Sequence, residues 1–231
     1  MEDTDMEEID ARILRATLEL FADPDRADSA FITAEEICEQ AKVDQSDFLD
    51  RFQGAGQVLS LSYFLLLDQA ESEVRSLPGF ELLALEERLA SYVFVLLDVF
   101  EQNRAFVNRT FDERAAGLFS PFQQGLREAL SNLFQATDVS STNRILFDNA
   151  PVRLALSESI VQVVNKWVED DSENRERSTA LVDRVVALWA ELLTTGIPDR
   201  SVELFRYAVE SGYLPIDQLP IVKDWLGRSQ D

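Results

Sequence analysis

The stretch Ala41–Phe52, AKVDQSDFLDRF, decides how this chain is read. It follows TAEEICEQ (33–40), where Thr33 and Glu36 stand at the spacing of a capping box and open a short amphipathic helix. Ile37, Cys38 and Ala41 mark the face that helix buries. A tight turn at Lys42-Val43 leads to a second helix, capped by Asp44 or Ser46, with Phe48, Leu49 and Phe52 at its apolar positions. Two short helices around a tight turn have the cadence of a helix-turn-helix, whose second helix is shaped to enter a DNA groove. Yet this second helix carries Asp44, Asp47 and Asp50 against one base, Arg51.

Outward from this stretch the chain reads as helix throughout. Upstream, Ile9, Ile13, Leu14, Thr17, Leu18 and Phe21 share one helical face that ends at Asp23-Pro24, and residues 1–8 read as a charged, frayed tail. Downstream, a long helix runs from Gln57 to the break at Pro78-Gly79, and another from Glu81 to about Asn103. Further helices are expected over 104–116, 121–136, 144–169, 178–195, 199–212 and 216–227, separated by polar or Gly/Pro-containing breaks. With 8 Gly and 7 Pro in 231 residues, and 15 Phe to fill a core, the fold class expected is all-α.

Composition also excludes chemistry. The chain has no His and one Cys, which removes His-based acid–base catalysis, His-activated nucleophiles and thiolate- or His-rich metal sites. There is no Gly-x-Gly-x-x-Gly and no P-loop, so neither an enzyme nor a cofactor is expected. Cys38 reads as a small buried apolar residue. No apolar run approaches the roughly 18–20 residues that span a bilayer, and the start MEDTDMEEID is unlike a signal peptide. A cytoplasmic location is expected.

The formal charge of −22 comes from 43 acids against 21 bases, of which only Lys42, Lys166 and Lys223 are lysines. Abundant acid with scarce Lys suits a cytoplasm of concentrated salt, where the Debye length falls to about 3 Å at 1 M. An ordinary acidic soluble protein is the alternative.

Around the opening stretch, TAEEICEQAKVDQSDFLDRFQGAGQVL (33–59) resembles the TetR family of bacterial transcriptional regulators. The family pattern there runs roughly T-x-x-x-I-A-x-x-A-G-V-S-x-G-T-L-Y-x-x-F-x-x-K-x-x-L. The ELFAD of Glu19–Asp23 is similar to the family's LFAE, so the resemblance covers about residues 9–60. It implies a helix-turn-helix module over 1–55 and a ligand-binding, dimerising domain over 56–231. The departures fall where the resemblance places function: Lys42 replaces the turn Gly, and Asp44 the Ser that opens the reading helix. Asp47 and Leu49 replace the phosphate-contacting Thr and Tyr, and Ala55 the Lys at the start of the fourth helix. Duplex affinity rests largely on neutralising phosphates, and residues 11–55 carry ten acids against five bases.

The resemblance assigns candidate sites. Thr33, Lys42, Gln45, Ser46, Asp47, Leu49 and Arg51 form the candidate DNA-facing surface, where Gln suits adenine and Arg guanine; a solvated face with no nucleic-acid role is the alternative. Phe94, Asp98, Phe106, Phe111, Phe122, Phe147 and Trp167 are candidates to line a pocket for a small, mostly apolar effector. Tyr92, Phe100, Phe119 and Phe134 belong to the same aromatic set, and plain core is the commoner use of such residues. Asp98 and Asp68 fit the solvent edges of their helices, and the run Asp170–Glu173 fits a solvated loop better than a Ca²⁺ site. Leu181, Val185, Leu188, Trp189, Leu192, Leu204, Phe205 and Ala208 would form half of a four-helix bundle completed by a second copy. The function implied is a ligand-responsive regulator, a repressor that binds operator DNA as a homodimer. The alternative is a TetR-like protein that no longer binds DNA and uses its pocket to carry an apolar small molecule or docks on a protein partner.

Overall fold

The computed structural model describes residues 2–23, 31–135 and 150–195. Phe147, Leu204, Phe205, Ala208 and the two helices expected after Gly196 lie outside these residues. Among the described residues there are nine α-helices and no strand. They are α1 (Glu2–Ala22), α2 (Ala34–Ala41), α3 (Gln45–Leu49), α4 (Ala55–Ser76), α5 (Leu85–Gln102), α6 (Arg104–Arg114), α7 (Pro121–Gln135), α8 (Ala150–Val168) and α9 (Glu176–Thr195).

Two boundaries differ from expectation. Helix α1 runs back to Glu2 through the acidic tail that reads as frayed; carboxylates at a helix N-terminus are favoured by its dipole. The helix expected from Glu81 starts at Leu85 instead, after a 3-10 turn over Phe80–Leu82. Gly79 enters that turn at φ 75°, and the Glu87 carboxylate accepts a hydrogen bond of 2.9 Å from the Ala84 N–H, so the helix is capped there.

Two apolar cores follow one another along the chain. The smaller one gathers Ile13, Ala16, Ile37, Cys38, Ala41, Phe48, Phe52 and Val58 from α1 to α4. The larger one fills the space among α4 to α9, with Phe21 reaching in from the end of α1. Each large apolar side chain fully buried here is worth about 1.5–3 kcal/mol relative to exposure. Helix α4 belongs to both cores: Val58 packs in the first, and Leu59 to Val74 in the second. Where α7 crosses α4, the contact is a glycine. A Cβ on Gly125 would lie 2.7 Å from the Phe64 ring and 2.8 Å from Leu67 Cδ1, so a side chain there would push the helices apart.

Candidate functional site

Helices α2 and α3 stand where the sequence pattern predicts two short helices, but Leu49, expected at an apolar position of the second, is exposed. The Thr33 hydroxyl accepts from the Glu36 N–H at 3.2 Å, and the Glu36 carboxylate accepts from the Thr33 N–H at 2.8 Å, which completes the capping box. Lys42 closes α2 at φ 54°, ψ 49°, the left-handed conformation that a Gly adopts without strain. Asp44 is the N-cap residue of α3, with no side-chain cap bond. Phe48 turns inward and is fully buried, while Lys42, Gln45, Ser46, Asp47 and Leu49 are exposed, Leu49 at 58%. Thr33 is exposed too, with its hydroxyl committed to the cap.

Arg51 departs from the expected surface. It lies beyond the end of α3, its side chain is 19% exposed, and its guanidinium pairs with Asp10 of α1 at 3.0 Å. Between Thr33 and Asp50 this leaves Lys42 as the single base beside exposed Glu35, Glu39, Asp44, Asp47 and Asp50. No local pattern announces the Asp10 contact, which spans 41 positions of sequence.

The aromatic candidates divide into two places. Phe106, Phe111 and Phe122 are fully buried and interlock with Tyr63 and Phe100 at centroid distances of 4.9–6.1 Å, mostly edge-on or tilted. Rings so arranged fill the interior between α4 and α7. Phe94, Asp98 and Trp167 instead border an open cleft of about 530 Å³ between α5, the end of α8 and the turn into α9. Asp98 and Asp68 are both exposed, and so is Phe119.

Two arginines that the aromatic pattern does not announce shape this cleft. The Arg175 guanidinium stacks on Trp167 at 4.3 Å, donates to the Trp167 carbonyl at 2.9 Å and pairs with Glu101 at 2.9 Å. Arg104 lies over the same indole at 5.8 Å and meets Glu101 at 3.3 Å. Arg175 holds this position from a backbone φ of 54°. Beside it, Asp170 accepts from the Ser172 N–H at 2.9 Å and hydroxyl at 2.6 Å, and from the Ser178 N–H at 2.8 Å and hydroxyl. The Ser172 and then the Ser178 hydroxyl bonds hold its carboxyl well below the usual carboxylate range. Asp170 therefore organises the entry to α9. Among the described residues no group of three or more His, Cys, Asp or Glu could hold a metal ion.

Helix α9 has two apolar faces. Val182, Val186, Trp189 and Leu193 are buried in the larger core. Leu181, Val185 and Leu192 are half-buried, and Leu188 is 54% exposed, so a second stripe runs along the outer side. Of the interface candidates, Trp189 thus sits on the inner face. Among the described residues no helix is long and apolar enough to cross a membrane.

A family model described as "Tetracyclin repressor-like, C-terminal domain" matches residues 88–206, that is 119 of the 231 residues. No curated protein matches the chain. The match begins in α5 and runs past the end of α9, so it falls outside the N-terminal stretch on which the resemblance was first read. The two lines of evidence are independent, and together with the all-helical fold they place this chain in the TetR family of transcriptional regulators.

Proposed function

We propose that the chain is a ligand-responsive transcriptional regulator of TetR type, a repressor acting as a homodimer. It divides into a helix-turn-helix module over 1–55 and an effector-binding, dimerising domain over 56–231. The observation that carries this is the intact α2–α3 geometry: capping box, buried Phe48, and a turn and short helix that leave Lys42, Gln45 and Ser46 exposed. In a two-fold dimer the two reading helices would sit in successive major grooves, roughly 34–36 Å apart. The outer stripe of α9, with Leu188 at its centre, supports pairing with a second copy. The Trp167 cleft, flanked by Phe94 and Asp98, is the best placed described cavity for an effector. An effector acts only through unequal affinity for the operator-bound and free forms.

The acidic surface sets the conditions of binding. Around α3 five exposed carboxylates outweigh Lys42, so affinity rests on base-edge contacts by Gln45, Ser46 and Lys42 in salt that screens the carboxylates. A second reading, a TetR-like protein without DNA binding, is favoured by one observation: Arg51, the base of the reading segment, is tied to Asp10.

Retention of the chain's own fragmented genomic DNA, titrated in KCl from about 0.1 to 3 M, separates the two. The regulator reading expects specific fragments retained at high salt and lost in Gln45→Ala. No retention at any salt, with or without cell extract as a source of effector, establishes the second reading.

A further inference from the structure

Among the described residues a positive φ occurs at two glycines, Gly54 and Gly79, and at two cations, Lys42 and Arg175. Both cations stand at φ 54°. A side chain in the left-handed region crowds its own backbone, a cost that glycine escapes. Arg175 commits its side chain within the molecule, to the Trp167 ring, the Trp167 carbonyl and Glu101. Lys42 does not. It is exposed, and its ammonium makes no hydrogen bond, ion pair or ring contact with any described residue.

The turn dictates the backbone conformation. The Lys42 N–H donates to the Glu39 carbonyl at 3.3 Å and the Val43 N–H to the Cys38 carbonyl at 3.1 Å, so α2 ends on backbone bonds that call for a left-handed residue at 42. Glycine would hold that position with the least strain. Attraction between the ammonium and the C-terminal end of α2 offsets part of the cost, and salt screens it. A lysine kept at such a place, with no contact inside the molecule, serves a contact outside it.

Duplex DNA offers an ammonium two kinds of acceptor, the phosphate oxygens and the O6 and N7 of guanine. Glu39, Asp44 and Asp47 are exposed on either side of Lys42 in the chain and repel the charged phosphates. The guanine edge carries no net charge for them to repel. Lys42 also comes just before α3, which begins at Gln45, and the start of a reading helix is the part that meets base edges. We propose that Lys42 reads guanine in the operator, donating from its ammonium to O6 and N7 in the major groove, and that the α2–α3 turn holds a strained residue for that contact. This rests on the DNA-binding reading above and deepens it: the operator carries a guanine for Lys42 besides the adenine suited to Gln45.

The test pairs stability with binding. Melting temperature and affinity for a retained genomic fragment are measured for the full-length parent, Lys42→Gly and Lys42→Arg. The fragment is made once with guanine and once with 7-deazaguanine, which lacks N7. Opposite signs are expected for Lys42→Gly: a higher melting temperature and about ten-fold weaker binding. Lys42→Arg keeps the charge and the donors and matches the parent in both. 7-Deazaguanine weakens the parent and leaves Lys42→Gly unaffected. A lower melting temperature in Lys42→Gly would mean that the side chain serves the fold, and undiminished binding would mean that it touches no DNA; either overturns the proposal. So does a loss of binding in Lys42→Gly that 7-deazaguanine does not reproduce in the parent and that flattens the salt dependence, since Lys42 would then hold a phosphate. Failure of the underlying reading is distinct: the parent itself retains no fragment, and the proposal falls with it.

Discussion

Two tyrosines in the larger core carry opposite consequences. The Tyr63 hydroxyl lies 2.8 Å from Thr110 Oγ1, which in turn donates to the Phe106 carbonyl at 2.9 Å, whereas Tyr92 has no such partner. Burial pushes both phenols well above their ordinary pKa. Removing a satisfied buried hydroxyl costs about 1 kcal/mol, while removing an unsatisfied one costs nothing or stabilises. Urea unfolding should therefore show Tyr63→Phe destabilised by about 1 kcal/mol and Tyr92→Phe as stable as the parent or more so. Identical losses in the two variants would mean that the Tyr92 hydroxyl has a partner. Neither behaviour is legible in the sequence, where both residues are simply aromatics on apolar faces. The same holds for Arg51: its position in the motif suggests DNA, and only the fold brings Asp10 against it. Side-chain partnerships across 40 residues leave no trace in local spacing.

At the scale of elements, much more is readable. Caps and breaks are local chemistry, so the Thr33 box, the turn at Lys42 and the end of α4 before Pro78 all fall where residue types place them. Periodicity likewise identifies buried faces. What it does not identify is whether a buried ring closes a space or lines one, and the aromatic candidates split on that point, between the interlocked Tyr63–Phe100 cluster and the Trp167 cleft. The α8–α9 connection shows a related limit: its acidic run reads as a solvated loop, yet Asp170 caps the next helix through Ser172 and Ser178. The folded-state pKa of Asp170 lies below its unfolded value, so its contribution is complete above about pH 4 and fades as pH falls through the lower folded value. Asp170→Asn should lower the melting temperature at pH 7, with the difference from the parent shrinking once pH drops below about 4. A difference that stays constant from pH 7 to pH 2 would exclude the carboxylate charge as its source.

For the molecule as a whole, a charge of −22 dominates. Self-repulsion opposes the compact state, and salt screens it. The melting temperature should climb steeply between about 0.1 and 1 M KCl, where the Debye length shortens from roughly 10 to 3 Å, and level off beyond. A curve flat across that range would mean that acids and bases are already balanced locally. The excess of acid and its concentration on α3 are both plain in the sequence; that Arg51 is tied to Asp10 needed the fold. Gly125 lets α7 rest on α4 at Phe64 and Leu67, close to the midpoint of the 22-residue helix. With that contact as pivot, α4 is a beam of two unequal arms. Glu71 lies about 8 Å along the beam on one side and Ala55 about 16 Å on the other, at 1.5 Å per residue. Were α4 to turn about Gly125 as a rigid rod, Ala55 would move the opposite way to Glu71 and about twice as far.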